Sequence, residues 1–209
     1  MIKDEGLKIL LKTALRAGAS EAAVIPSATI VVEKELADLC NGNPRCENYN
    51  LAPSCPPHVP GPAGFKKWQK GSDYSIAVKI DVPMAAMFSD ERREIMQLLH
   101  EVVARVEEKA VSMGYSGSRA FAGGSCKELF CSEHATCCVL DAQGLCRHPQ
   151  SARPSMSGFG INVTRLMQAA GWPYKKATRQ EASDEESMTW VAGLILIADA
   201  GDSPKCKWM

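Results

Sequence analysis

Cysteine is the residue type through which this chain could do chemistry, and its placement is uneven. Three thiols fall in Cys40-x5-Cys46-x8-Cys55, which runs into Pro56-Pro57-His58. Four more form Cys126-x4-Cys131-x5-Cys137-x8-Cys146, opened by Gly123-Gly124-Ser125 and followed by Arg147-His148-Pro149. Thiolates are soft ligands that select zinc, copper(I) or iron–sulphur clusters. Structural zinc favours short knuckles such as Cys-x2-Cys, and neither group contains one. The longer, irregular intervals suit a loop wrapped around a larger body, whose irons are reached from several sides.

The two groups carry different expectations. Cys126, Cys131, Cys137 and Cys146 can complete one closed [4Fe-4S] cluster. Gly123 and Gly124 let backbone N–H groups come close to its sulphides. Arg147 and His148 either offset the cluster's negative charge or are simply solvated. Cys40, Cys46 and Cys55 leave one iron without a thiolate. Either a side chain completes the set, with His58 the nearest candidate, or that iron is open as a Lewis-acid position for a small molecule. His134 and His148 belong to the second group. A single shared centre with three spare thiols is the other arrangement these numbers allow. Cys138, beside Cys137, and Cys206, near the C-terminus, read as plain thiols.

The surrounding chain is ordinary. It has 209 residues, 45% of them hydrophobic, enough for one domain over 1–209 with a self-sufficient core. Cysteine is therefore not needed as a staple, and nine thiols cannot all pair within one chain. The start, Met-Ile-Lys-Asp-Glu-Gly, lacks the charged-then-apolar pattern of a signal peptide. The longest apolar run, 190–198, is too short to cross a bilayer. A soluble cytoplasmic protein with reduced thiols is expected. Lys and Arg number 24, as do Asp and Glu, so neither a nucleic acid nor a membrane surface is an expected partner. Lys66-Lys67 and Lys175-Lys176 read as solvated pairs, and Asp184-Glu185-Glu186 as a polar loop.

Regular elements must hold the two loops in place. Leu7, Leu10, Leu11, Ala14 and Leu15 give residues 4–17 one apolar helical face, stopped at Gly18. A strand is expected over 21–25. Residues 28–39 mix strand and helix signals. Periodicity vanishes over 40–62, the first cysteine loop. A short helix over 63–70 turns Phe65 and Trp68 inward, and a strand follows over 74–82. Ser89 is placed to cap a long helix carrying Ile95, Leu98, Leu99, Val102, Val106 and Ala110. A strand over 118–121 leads into the second cysteine loop, 123–154. Asn162 can cap a helix over 163–170, and residues 188–198 are apolar on both parities, as a central strand covered on both faces would be. Strands separated by helices imply an α/β or α+β fold. Its sheet is expected to be mixed and largely parallel, with four to five strands and flanking helices. Residues 84–88 offer an apolar contact patch. No glycine-rich nucleotide fingerprint is present, because Gly158-Phe159-Gly160 lacks the remainder of that motif.

The segments Cys40-x5-Cys46-x8-Cys55-Pro-Pro, GGSCKELFC over 123–131 and CRHPQSARPSMSGFGINV over 146–163 resemble an uncharacterised prokaryotic family of predicted metal-binding proteins. The likeness spans about residues 3 to 200 and implies Cys40, Cys46, Cys55, Cys126, Cys131, Cys137 and Cys146 as the shared set. Cys137 is taken over Cys138 on its place ahead of Val139-Leu140. Arg153, Pro154, Ser155 and Met156 belong to the last motif without an implied role. The resemblance supplies no reaction. The leading expectation is an iron–sulphur redox protein with one or two [4Fe-4S] clusters, served by a redox partner protein or by a small-molecule ligand at an open iron. A zinc-stabilised scaffold or interaction protein and a metal-delivery accessory protein are the alternatives.

Overall fold

The computed structural model describes residues 4–141, 144–173 and 187–199. Lys175-Lys176, Asp184-Glu185-Glu186 and Cys206 lie outside those residues. Helix α1 (Asp4–Ala17) opens with Asp4 and Glu5 and closes with Arg16, each charge favourable to the helix dipole at its end. Leu7, Leu10 and Ala14 face the core, whereas Leu15 is turned outward. Strand β1 (Glu21–Pro26) follows. The mixed signals of 28–39 resolve into a single bridge, Val32 to Ile161, and one short helix, α2 (Lys34–Asp38). After the first cysteine loop come α3 (Gly61–Gln69), β2 (Tyr74–Pro83) and the long α4 (Arg92–Ser112). Ser89 precedes α4 by a turn and does not cap it: its hydroxyl accepts from the Glu91 amide at 3.3 Å.

Strand β3 (Arg119–Phe121) feeds the second cysteine loop, which contains the short helices α5 (Cys126–Phe130) and α6 (Cys138–Asp141). Helix α7 (Val163–Ala169) is capped as expected, with Asn162 Oδ1 accepting from the Arg165 amide at 3.0 Å. Strand β4 (Met188–Ile197) is the last element described.

The sheet order is β1-β2-β4-β3, and every neighbouring pair is antiparallel. The expected largely parallel sheet is thus corrected: the fold is α+β with four antiparallel strands. Helix-bearing segments join β1 to β2 and β3 to β4, yet in both cases the joined strands run in opposite directions. Helix α4 does join two strands that run the same way, β2 and β3, but β4 enters between them and takes the hydrogen bonds of both.

Helices cover both faces of β4, as its double apolar parity requires. On one side α1 and α4 pack Leu10, Leu99, Val103 and Val106 against Ile76, Val78 and Ile195. Val103 passes so close to β4 that a Cβ on Gly193 would lie 2.4 Å from its Cγ1. On the other side Phe65, Phe159, Leu166 and Met167 pack on Ala77, Phe121, Leu194 and Leu196. Phe121 meets Phe65 and Phe159 edge-on, with centroids 5.2 and 5.0 Å apart. Of the apolar patch expected at 84–88, Met84 and Ala86 are buried and Phe88 remains half exposed, so it is no continuous surface. Among the described residues no helix is long and apolar enough to cross a membrane.

Candidate metal centre

Helix α4 anchors the second cysteine loop at both ends. His100 is fully buried on it. Its Nδ1 accepts from the Arg153 amide at 3.1 Å, which leaves the ring proton on Nε2, and Nε2 donates to the Gly123 carbonyl at 2.9 Å. One neutral imidazole therefore ties the first residue of the loop to its last turn. Burial holds its pKa down at about 4. Just under two turns of α4 further on lies Glu107, also buried. Arg153 Nε donates to Glu107 Oε2 at 2.6 Å, and Glu107 Oε1 accepts from the Ala120 amide at 2.6 Å. Arg153 Nη1 also donates to the carbonyls of Pro149 and Ala152. Burial pushes the Glu107 carboxyl up, against the opposing pull of Arg153. A buried ion pair holds its place only when its remaining hydrogen-bonding groups are satisfied, as they are here. Arg153 is thus the post on which the loop returns to the sheet.

The first loop docks on the second. The Ser155 amide donates to the Ser54 carbonyl at 3.1 Å, and Asn48 Nδ2 donates to Glu128 Oε2 at 2.7 Å. Arg92 lies 3.5 Å from the same carboxylate. Ala52 packs with Cys126 and Ala152 in a small apolar cluster. These contacts create two cysteine-lined spaces.

The first is a cavity of about 250 Å³, lined by Cys40, Cys46 and Cys55 with Asn48, Tyr49, Pro56, Arg92, Gly124, Ser125, Glu128, Ser155 and Ser157. One water needs only about 10–15 Å³ of such space, so the cavity suits a body of several atoms better than a lone ion. Ser125 Oγ, buried in that lining, has no hydrogen-bond partner. The second space is tighter, about 20 Å³, and is lined by Cys126, Cys131, Cys137, Cys138 and Cys146 with Pro53, Lys127, Phe130, Arg147, His148 and Ala152. Phe130 stacks on the His148 ring at 5.4 Å and meets His100 edge-on at 5.5 Å.

All eight described cysteines are free thiols. Burial pushes the thiols of Cys40, Cys55, Cys131 and Cys146 up, and that of Cys126 up to about 12. Burial accordingly favours the thiol form of these five, and several sulphurs are hydrogen-bonded to the protein. Ser54 Oγ lies 3.1 Å from Cys126 Sγ, Cys138 Sγ donates to the Leu145 carbonyl at 3.0 Å, and the His148 amide donates to Cys146 Sγ at 3.4 Å. As the side chains stand, no three Cys, His, Asp or Glu among the described residues are set to hold a metal ion. Binding must displace the thiol protons and draw the sulphurs onto the metal, and the four-thiol space must widen to admit anything larger than a single ion. The donor set itself fits a soft, thiolate-ligated metal group.

The three-and-four division expected from spacing coincides with the two spaces, and the four-thiol space also receives Cys138. His58 does not complete the cavity: its Nε2 pairs with Asn50 Oδ1 at 2.8 Å, and its ring is not part of the lining. His134 is exposed, with its carbonyl accepting from Lys127 Nζ. Arg147 and His148 do border the four-thiol space. Sequence reasoning overlooked Ser54, Glu128, Asn48, Tyr49 and Arg92. A signal for the serine existed, since Ser54-Cys55 and Ser125-Cys126 repeat one dipeptide, once in each loop.

A family model described as Predicted metal-binding protein (DUF2284) matches residues 23–197, which include both cysteine loops and all four strands except the first two residues of β1. This chain belongs to that family. No curated protein and no solved structure matches it. Membership makes this DUF2284 chain a predicted metal-binding protein, and the matched span covers every residue that lines the two thiol spaces.

Proposed function

We propose that this protein is a cytoplasmic iron–sulphur redox protein, with Cys126, Cys131, Cys137 and Cys146 holding one [4Fe-4S] cluster and Cys40, Cys46 and Cys55 holding a second. The observation that carries the reading is the three-thiol cavity, roomy enough for a multi-atom group and bordered by a buried hydroxyl with nothing to bond. When bound, such clusters supply one-electron redox chemistry at a potential set by charge and hydrogen bonds around the sulphurs.

The chain's own residues prepare both spaces. His100, Glu107 and Arg153 fix the ends of the second loop, so its thiols are presented from a rigid base. Arg147 and Lys127 place positive charge beside Cys131 in the four-thiol space, which pulls against the burial that holds its thiol up. Cys138 Sγ donates to the Leu145 carbonyl and stands aside from the set. On the three-thiol side Ser125 can donate to the occupant, and Glu128 is steadied by Asn48 and Arg92. With His58 turned away, the fourth position there is left to a small-molecule ligand, and a redox partner protein would approach the second loop.

The deciding measurement is the iron, sulphide and zinc content of the full chain purified without oxygen, together with its visible absorption. Iron and sulphide in equal amounts, with a brown colour, are expected. A colourless protein loaded with zinc refutes the proposal in favour of a zinc-stabilised scaffold. Labile metal that leaves without disturbing the fold refutes it in favour of metal delivery.

A further inference from the structure

The two thiol spaces share a wall, made of residues 53–56 of the first loop and 124–127 of the second. Along the first stretch Pro53 faces the four-thiol space, whereas Cys55 and Pro56 face the three-thiol cavity. Along the second, Gly124 and Ser125 face the cavity, whereas Cys126 and Lys127 face the four-thiol space. The serines of this wall are crossed. Ser54 precedes Cys55 in the chain, yet its hydroxyl is 3.1 Å from Cys126 Sγ and 3.9 Å from Cys55 Sγ. Ser125 precedes Cys126, yet its unpartnered hydroxyl lies in the lining of the cavity that contains Cys55.

Cys55 and Cys126 are also the most buried of the thiols, 6% and 8% exposed, so water does not screen charge across the wall. The wall is stiff as well. The Ser54 and Ser125 carbonyls accept from the Ser155 and Leu129 amides at 3.1 and 3.0 Å, and Ala52 and Ala152 pack behind Cys126.

Resting on the two-cluster reading above, we propose that the centres act as a coupled pair across this wall, with Ser54 and Ser125 as positioning residues that each set the potential of the centre opposite their own loop. Ser54 donates to the Cys126 sulphur and Ser125 to a sulphur in the Cys55 cavity. Each donation stabilises the extra negative charge of the reduced centre and raises its potential. Because the two charges face each other through a dry wall, an electron on one centre makes reduction of the other harder.

The test uses the full chain, isolated without oxygen and titrated with dithionite, which supplies one electron to each cluster and is itself oxidised to sulphite. Electron paramagnetic resonance of the fully reduced protein should show spin–spin splitting rather than the sum of two isolated signals. The two reductions should be separated by at least tenfold in reduced-to-oxidised ratio, about 59 mV for a one-electron step. Cys40→Ala, which removes the three-thiol centre, should leave one unsplit signal and so assign the steps. Ser54→Ala should lower the potential of the Cys126 centre, and Ser125→Ala that of the Cys55 centre, both with iron content and splitting retained. Two superimposed independent signals overturn the proposal, as does each serine shifting the centre of its own loop. The wild-type spectrum decides the coupling even where a serine variant fails to fold. Iron and sulphide absent from the wild type would instead sink the two-cluster reading on which the proposal rests.

Discussion

Lowering the pH should loosen the second cysteine loop through one residue, His100. Its imidazole is neutral in the folded protein, with a pKa of about 4, and returns to about 6.5 when the chain unfolds. Between those values the unfolded chain binds the extra proton, so stability is fully present above pH 6.5 and falls as the pH drops toward 4. The full span corresponds to about 3 kcal/mol, and about 2 kcal/mol of it is lost between pH 7.5 and pH 5. Arg153 reinforces the depression of the His100 pKa. Glu107 acts the other way: its raised pKa makes the folded state hold a proton that the unfolded chain has released, so acid favours folding at that group. The His148 ring, beyond Phe130, is a further group near the site. Comparison with His100→Phe cancels these neighbours. That variant keeps the ring's shape but leaves the Gly123 carbonyl and Arg153 amide unpaired, at a cost of about 2–6 kcal/mol near neutral pH. Urea unfolding of metal-free wild type and variant at the two pH values, followed by circular dichroism, measures the difference. The wild type should lose about 2 kcal/mol more than the variant on acidification. Equal losses, or a larger loss in the variant, would refute the assignment of a buried neutral histidine.

Three further outcomes follow from the same contacts. Glu107→Ala should cost about 3–5 kcal/mol by leaving Arg153 buried and unpaired, while the paired change Glu107→Leu with Arg153→Met should recover most of it in denaturant titrations. Gly193→Ala should lower the melting temperature, with about 1–3 kcal/mol lost, because its Cβ would press on Val103 2.4 Å away; an unchanged melting temperature would mean α4 yields freely. In the metal-free protein, mass spectrometry after brief alkylation near neutral pH should find exposed Cys46 modified first and Cys126, with its pKa of about 12, among the last.

Much of this architecture can be read from residue order because it depends on local pattern. The cysteine loops declare themselves by the loss of periodicity between Cys40 and residue 62 and again after Gly123. Asn162 caps its helix because a short side-chain acceptor ahead of an apolar stripe has few other uses. Strand adjacency is different. Nothing local in residues 188–197 states that they insert between β2 and β3, since both parities are apolar in a parallel and an antiparallel central strand alike. The clamp on the second loop was missed for another reason. Met96, His100, Val103, Glu107 and Ala110 share the buried stripe of α4, but a scan for apolar residues discounts the histidine and the glutamate and so rotates the inferred face toward Ile95 and Leu98. The crossed serines depend on two loops meeting in space, which spacing within either loop does not reveal.

The insertion of β4 also imposes an order on folding. The middle of the sheet is its last strand in the chain, so β2 and β3 each present an open edge until residues 188–197 arrive. Both cysteine loops have by then been synthesised, and the second lies inside the long closure that brings β4 back to β3. Such non-local pairing forms late, because a long loop must be closed before any contact rewards it. During synthesis all seven grouped thiols therefore emerge before the strand that completes the sheet supporting them. In that interval the loops are free to take up a metal group from outside, before the wall between them becomes dry.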